Sequence, residues 1–187
     1  MPLFNKQDLI SELIDRTDLI VSNVQGFLRL SNEELCRRPA RDQWSIAEIF
    51  DHLNKTHEIY FKSILRQITS APDVDQVEYK SGWLGDKLCE QLLPGPGGQS
   101  SKVRVHKILH PESESLDGQE VMRKFLQAED TMHDIIRHAS SKNLEKIRIP
   151  YSFTGLVKLK LGDSLRYLVA YSERYVLEAR QIQEKGG

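Results

Sequence analysis

The sequence predicts an all-α protein, a bundle of four long helices joined by connections of uneven length. Three observations support this fold class. Four long stretches carry apolar side chains at helical spacing. Helix start and stop signals bound these stretches. The residues between them are too irregular to form long strands. Because each predicted helix has one apolar face, the four faces are expected to share one core in a single domain, residues 1–187.

The first two long helices are predicted over residues 6–30 and 46–69. Apolar residues recur at helical spacing in both segments. Ser45 and Glu48 have the spacing of a capping box, which places the start of the second helix directly after Ser45. Pro39 interrupts helical structure between the two segments, so a short turn is expected there.

The predicted second half contains one irregular region and two further long helices. Residues 71–116 are irregular apart from a short helix expected at 82–92. After this short helix, glycine and proline residues exclude regular structure. We expect the resulting 94–112 loop to be able to close over a groove between helices. The last two long helices are predicted over 118–140 and 161–183, joined by a connection with extended, β-branched segments.

The composition excludes several classes of function. The formal net charge is −1, which provides no strong field for nucleic acid or an anionic membrane. Cys36 and Cys89 are far apart, so neither a disulfide framework nor a cysteine zinc site is expected. No apolar run is long enough to cross a bilayer and no secretory signal is apparent. We therefore expect a cytoplasmic protein with no nucleic-acid or membrane partner.

The histidines allow both structural and functional interpretations. No H-E-x-x-H pair occurs, so local spacing predicts no zincin-type metal site. His57 falls in the middle of the apolar face of the second helix, as a neutral core histidine would. His52 lies on the flank of that face, where it could be structural, a metal ligand or a general base. Glu129 and His133 are four residues apart, which predicts a hydrogen bond on a helix surface or, alternatively, a metal-binding pair.

Tyr171 and Tyr175 lie one turn apart on the flank of the last helix. Tyr167 continues the same row, toward solvent in a helical projection. The simplest interpretation is that these rings cover the edge of the core while their hydroxyl groups contact water.

The segment RRPARDQWSIAEIFDHLNKTHEIY resembles the first conserved motif of the DinB-like (DinB/YfiT) superfamily. The motif comprises a proline before the second helix, W-S-x-x-E, and a histidine eight residues after the tryptophan. Its members here are Pro39, Trp44, Ser45, Glu48 and His52. The segments HKILHP and LGDSLRYLVAYSERYVLEARQI are also similar to the family, so the resemblance covers nearly the whole chain.

This resemblance implies a four-helix bundle, often a homodimer, and in many relatives one divalent metal held by three histidines. One of these histidines corresponds to His52, and the other two form an H-x-x-x-H pair on the last long helix. That pair aligns with Tyr171 and Tyr175 in this sequence. Characterised relatives include thiol-dependent S-transferases and a thiol-dependent maleylpyruvate isomerase. In those enzymes the metal is thought to hold and activate the thiol.

The two tyrosines change the chemistry that the resemblance implies. A phenol must lose a proton with a pKa of about 10 before it binds a metal well, which costs about 4 kcal/mol at pH 7. We therefore expect a degenerate metal site without a resident cofactor. Nickel, zinc or iron on His52 with Tyr171 and Tyr175 is the alternative, because a hard Lewis acid recovers part of this cost.

Three hypotheses about function follow. In the first, His52, Tyr171, Tyr175 and Glu48 line an interhelical groove that binds a small molecule or cofactor without metal chemistry. In the second, the protein is a transferase acting on a low-molecular-weight thiol. His52 is then the catalytic base, and a hydroxyl group of Tyr171 or Tyr175 is the acid or the oxyanion donor. In the third, the chain is a non-catalytic dimeric module whose tyrosines complete the core.

Overall fold

The computed structural model of the protein describes residues 1–93, 105–111, 116–151 and 155–186. The predicted all-α class is confirmed, since the described residues are mainly helical. The four long helices are close to their predicted bounds, and two shorter helices accompany them. In chain order the helices are α1 (Lys6–Gln25), α2 (Asn32–Cys36), α3 (Ile46–Ser70), α4 (Trp83–Leu92), α5 (Gly118–Ala139) and α6 (Leu161–Gly186).

Two pairs of short antiparallel strands lie in the segments before α1, α4 and α6. β1 (Leu3–Asn5) pairs with β2 (Glu78–Lys80), and β3 (Arg148–Pro150) pairs with β4 (Lys158–Lys160). The extended segments predicted before the last helix are thus confirmed. The first pair was not predicted, because a strand of three residues is too short to show an alternating pattern.

The ends of three long helices can be compared with their predicted positions. The capping box predicted at Ser45 and Glu48 is present and starts α3. The last turn predicted for the first helix is instead a 3-10 helix, Gly26–Arg29. α6 begins at Leu161, as predicted, so Gly162 and Asp163 lie within its first turn. The buried Asp163 carboxylate accepts hydrogen bonds from the side chains of Tyr79 and Ser81, which attaches α6 to the segment before α4.

α3 packs against both α5 and α6, and α1 contacts the same two helices. Phe50 of α3 meets Phe125 of α5 edge to face, with ring centroids 4.8 Å apart, and both side chains are fully buried. The contact between α3 and α6 brings His52 within reach of the tyrosines on α6.

Only part of the predicted 94–112 loop falls within the described residues, since 94–104 and 112 lie outside them. Residues 105–111 include a 3-10 turn, Lys107–Leu109, that contacts α3. In the part of the chain that the structure describes, no helix is both long and apolar enough to cross a membrane.

Candidate functional site

α3 and α6 bring together three of the residues singled out from the sequence: His52, Tyr171 and Tyr175. Their side chains are buried, with exposed fractions of 0%, 4% and 5%. The Tyr171 hydroxyl oxygen is 2.8 Å from His52 Nε2, and the rings of His52 and Tyr175 have centroids 4.9 Å apart. Because Tyr171 and Tyr175 are one helical turn apart, their rings also contact each other, at 4.9 Å. We call these three residues the His–Tyr cluster.

The hydrogen bonds of His52 define its tautomer. Nδ1 is 2.7 Å from the carbonyl oxygen of Leu109, which can only accept, so Nδ1–H is the donor. A neutral imidazole with its proton on Nδ1 accepts at Nε2, and the Tyr171 O–H supplies that hydrogen bond. Burial lowers the pKa of His52 to about 4, so the ring is neutral at pH 7.

Both phenols of the cluster are held in their protonated form. Burial, followed by the charge and hydrogen bonding of Tyr175, raises the pKa of Tyr171 well above its ordinary value. Burial also raises the pKa of Tyr175. A phenolate at either position would therefore be harder to form than in water.

Trp44 and residues 105–111 cover the His–Tyr cluster. The Trp44 ring lies 5.1 Å from that of His52, and the His110 ring meets Trp44 edge to face at 6.0 Å. Leu109 is buried, and Lys55 of α3 donates a 3.1 Å hydrogen bond to the carbonyl oxygen of His110. A ligand that reached His52 would have to displace part of this cover.

The expectations that Tyr167 lies toward solvent and that the Tyr171 hydroxyl group contacts water were wrong, since Tyr167 is buried and the Tyr171 hydroxyl group bonds to His52. Tyr167, expected toward solvent, is only 7% exposed, and its ring lies 5.4 Å from those of both Tyr151 and Tyr171. The connection before α6 covers this face, since Tyr60 of α3 donates a 2.7 Å hydrogen bond to the carbonyl oxygen of Tyr151. A helical projection of α6 alone cannot include that covering segment.

The structure gives Glu48 a well-defined set of partners. Arg38 forms a two-pronged ion pair with both of its carboxylate oxygens. Oε2 also accepts a 2.9 Å hydrogen bond from the backbone N–H of Ser45. Arg38 and these hydrogen bonds lower the pKa of Glu48 even though burial opposes them. The carboxylate therefore fixes the start of α3, and its role in binding a cofactor stays a prediction.

A second polar cluster, formed by His57, Ser172 and Glu129, lies in the interior between α3, α5 and α6. His57 is a core histidine, as predicted, and its Nε2 is 3.0 Å from Ser172 Oγ. Glu129 was expected on a helix surface with His133 and is instead 1% exposed, 3.7 Å from His57. His133 contacts Asp18 instead. The periodicity of α5 did not reveal this burial, because a carboxylate is rarely a core residue.

Burial disfavours the charged form of both ionisable groups in this second polar cluster. Burial lowers the pKa of His57 to about 3 and raises the pKa of Glu129 to about 8. The His57 ring stacks on Phe61, with centroids 4.8 Å apart. Among the described residues its Nδ1 has no hydrogen-bond partner.

The sequence profile of the DinB superfamily matches residues 21–174. The chain belongs to the DinB superfamily. It is also similar to the uncharacterized protein YuaE of Bacillus subtilis (strain 168), with 20% identity over 156 residues, 83% of this chain and 87% of YuaE. No solved structure gave a significant match.

The donor atoms of the His–Tyr cluster do not fit the divalent metal that the family resemblance implies. His52 uses Nδ1 to donate and Nε2 to accept within the protein, and both phenols have raised pKa values. Within the described ranges, no three or more His, Cys, Asp or Glu side chains are grouped closely enough to hold a metal ion. A neutral imidazole flanked by two protonated phenols offers one good nitrogen donor, which is fewer than zinc sites use.

Proposed function

We propose that this DinB-like protein binds a small, uncharged organic molecule at the His–Tyr cluster, and that it does so without a metal. The observation that carries the proposal is the 2.8 Å hydrogen bond from the Tyr171 hydroxyl group to His52 Nε2. This bond occupies the nitrogen lone pair that a metal would need. A ligand that replaced this bond would meet one neutral donor, the Tyr171 hydroxyl group, and one neutral acceptor, His52 Nε2, between aromatic rings.

The polarity of the cluster supports an uncharged ligand. His52 is neutral at pH 7 and both tyrosines keep their protons, so no formal charge of the cluster itself would pair with an ion. Burying an unpaired charge is much more costly than burying a hydrogen-bonded neutral group. A planar molecule with one donor and one acceptor would replace the Tyr171–His52 bond and pack against the rings of Trp44 and Tyr175.

Trp44 provides a reporter for this binding. Trp83 is 66% exposed, so Trp83→Phe leaves Trp44 as the single tryptophan at little cost to stability. Neutral heteroaromatic fragments such as pyridone and pyrazole should change the fluorescence of Trp44 in this variant. The change should be lost when Tyr171→Phe or His52→Ala is added. Fragments that bind equally well to all three proteins would contradict the proposal.

The metal-free part of the proposal has a separate test. Untagged protein should bind neither nickel nor zinc tightly in a calorimetric titration. The double variant Tyr171→His/Tyr175→His offers three imidazoles and should gain stoichiometric binding, which His52→Ala should abolish. Tight binding by the unsubstituted protein that disappears in His52→Ala would contradict the proposal.

A transferase acting on a low-molecular-weight thiol is the second candidate, favoured by the contact between a phenol and an imidazole. His52 would accept the thiol proton and a tyrosine hydroxyl group would stabilise developing negative charge. The lowered pKa of His52 weakens it as a base, which ranks this function second. Turnover of a thiol with an electrophile that disappears in both His52→Ala and Tyr171→Phe would establish it.

A further inference from the structure

A second concave site lies away from the His–Tyr cluster, where the end of α2, the start of α3 and the end of α6 meet. It is a surface pocket of about 680 Å³, and neither His52 nor either tyrosine of the cluster lines it. Its volume is within the usual range for pockets that bind small molecules. A ligand here would not need to displace residues 105–111.

One wall of the pocket is apolar. Ile46, the first residue of α3, is 2% exposed, and the half-buried side chains of Leu30 and Ile182 line the pocket with it. Such a surface favours an aliphatic or aromatic body on the ligand, because burying it removes apolar area from water.

The rim of the pocket carries three cationic side chains and one anionic side chain. Arg38 is already paired with Glu48. Arg37 and Lys185 are exposed, and the described residues offer neither of them an ion pair. Glu34 caps α2 by accepting hydrogen bonds from the backbone and the side chain of Ser31. The charge of Arg37 also contributes to the lowered pKa of the Glu34 carboxyl group, after its hydrogen bonds to Ser31. Arg37 and Lys185 are thus two rim cations, beside an apolar wall, that have no ion pair among the described residues.

We propose that this pocket binds small amphipathic carboxylates. The carboxylate would pair with Arg37 and Lys185, and the apolar chain would pack on Leu30, Ile46 and Ile182. A guanidinium group favours a carboxylate because it can donate two parallel hydrogen bonds. The binding is independent of the neutral ligand proposed for the His–Tyr cluster.

Calorimetric titration of the untagged protein with octanoate and with 1-octanol tests the proposal. Both probes have the same apolar chain, but only octanoate is charged at pH 7. Octanoate should bind at least roughly tenfold more tightly than 1-octanol, and added salt should weaken octanoate binding selectively. Equal affinities, or an octanoate dissociation constant above about 10 mM, would overturn the proposal.

Three variants test whether octanoate binds in this pocket. Arg37→Ala/Lys185→Ala should weaken octanoate binding roughly tenfold or more and leave 1-octanol binding unchanged. Lys62→Ala/Arg66→Ala removes one lysine and one arginine from the exposed face of α3 and should change neither. Ala40→Trp adds a large side chain at the exposed rim and should weaken both probes by occupying the pocket. Equal effects of the two double variants, or no effect of Ala40→Trp, would overturn the assignment to this pocket.

Discussion

His52 and His57 lie little more than one turn apart on α3, and both contact a hydroxyl group on α6, yet their surroundings differ. Both nitrogens of His52 have partners, and one partner is the backbone of Leu109, outside the four long helices. His57 lies among phenylalanine rings beside a buried carboxyl group. The comparison indicates that burial of a histidine does not by itself mark function. On our proposal a ligand would reach His52 by displacing part of residues 105–111, whereas access to His57 would require the helices around it to separate.

Removing each imidazole should distinguish the two surroundings. His57→Ala should lower the free energy of unfolding by about 3 kcal/mol, because rigid helices surround the resulting cavity. His52→Ala should cost about 2 kcal/mol, because residues 105–111 can collapse into the space. Urea unfolding at pH 7 measures both values. A greater loss for His52→Ala would contradict the comparison.

The pH dependence of stability should distinguish the contribution of the Glu129 carboxyl group from those of the His52 and His57 imidazoles. The folded-state pKa of Glu129 is raised to about 8, so its contribution to stability is complete below the unfolded value of 4.5 and is lost as pH rises toward 8. Glu129→Gln cannot titrate and should remove this loss. The variant should therefore gain roughly 2–4 kcal/mol relative to the original protein between pH 5 and pH 8. Parallel stability curves would show that Glu129 is ionised in the folded state.

The two histidines should affect the stability of the protein at acidic pH. Their folded-state pKa values lie below 6.5, at about 4 for His52 and about 3 for His57. Their contributions are therefore present above pH 6.5 and are lost as pH falls through the folded values. His52→Gln and His57→Gln should each reduce the loss of stability between pH 6.5 and pH 4. Unfolding curves measured across this range provide the test.

The tyrosine hydroxyl groups should contribute unequally. Tyr171→Phe leaves the buried Nε2 of His52 without a donor and should cost about 2 kcal/mol. Tyr175→Phe leaves that bond intact and should cost less than about 1 kcal/mol, which makes it the matched control. If both variants retain full stability, the tyrosines merely complete the core, as the hypothesis of a structural module requires.

The smallest expected effect concerns residues 105–111. His52→Ala removes the hydrogen bond to the Leu109 carbonyl oxygen and should increase amide exchange of Leu109 and His110, which are bonded within this turn. His57→Ala, compared at equal overall stability, should leave those amides unchanged. Equal acceleration by the two variants would contradict the view that this segment depends on His52.

The sequence predicted the parts of the molecule that depend on local pattern. Helical spacing located the four long helices, and the Ser45–Glu48 capping box located the start of α3. The resemblance drew attention to His52, Tyr171 and Tyr175, which the structure brings into contact. Whether they carry function stays a prediction.

The remaining features depend on contacts between segments far apart in the chain. Leu109 is 57 residues from His52, and no spacing rule connects them. The burial of Glu129 depends on Ser172 and His57 from two other helices. Tyr167 is covered by the connection before α6, which a projection of one helix omits. Side-chain burial and hydrogen-bond partners therefore had to come from the structure.

The most direct test of the account is a long-range proton–nitrogen spectrum of the histidine rings at pH 7, without and with one equivalent of zinc. His52→Ala identifies the relevant signals. We predict a neutral His52 with its proton on Nδ1 and signals that zinc does not change, because Nε2 accepts from Tyr171. A proton on Nε2, or a His52 nitrogen signal displaced by zinc, would contradict the account. Either result would favour a metal-binding function for this site.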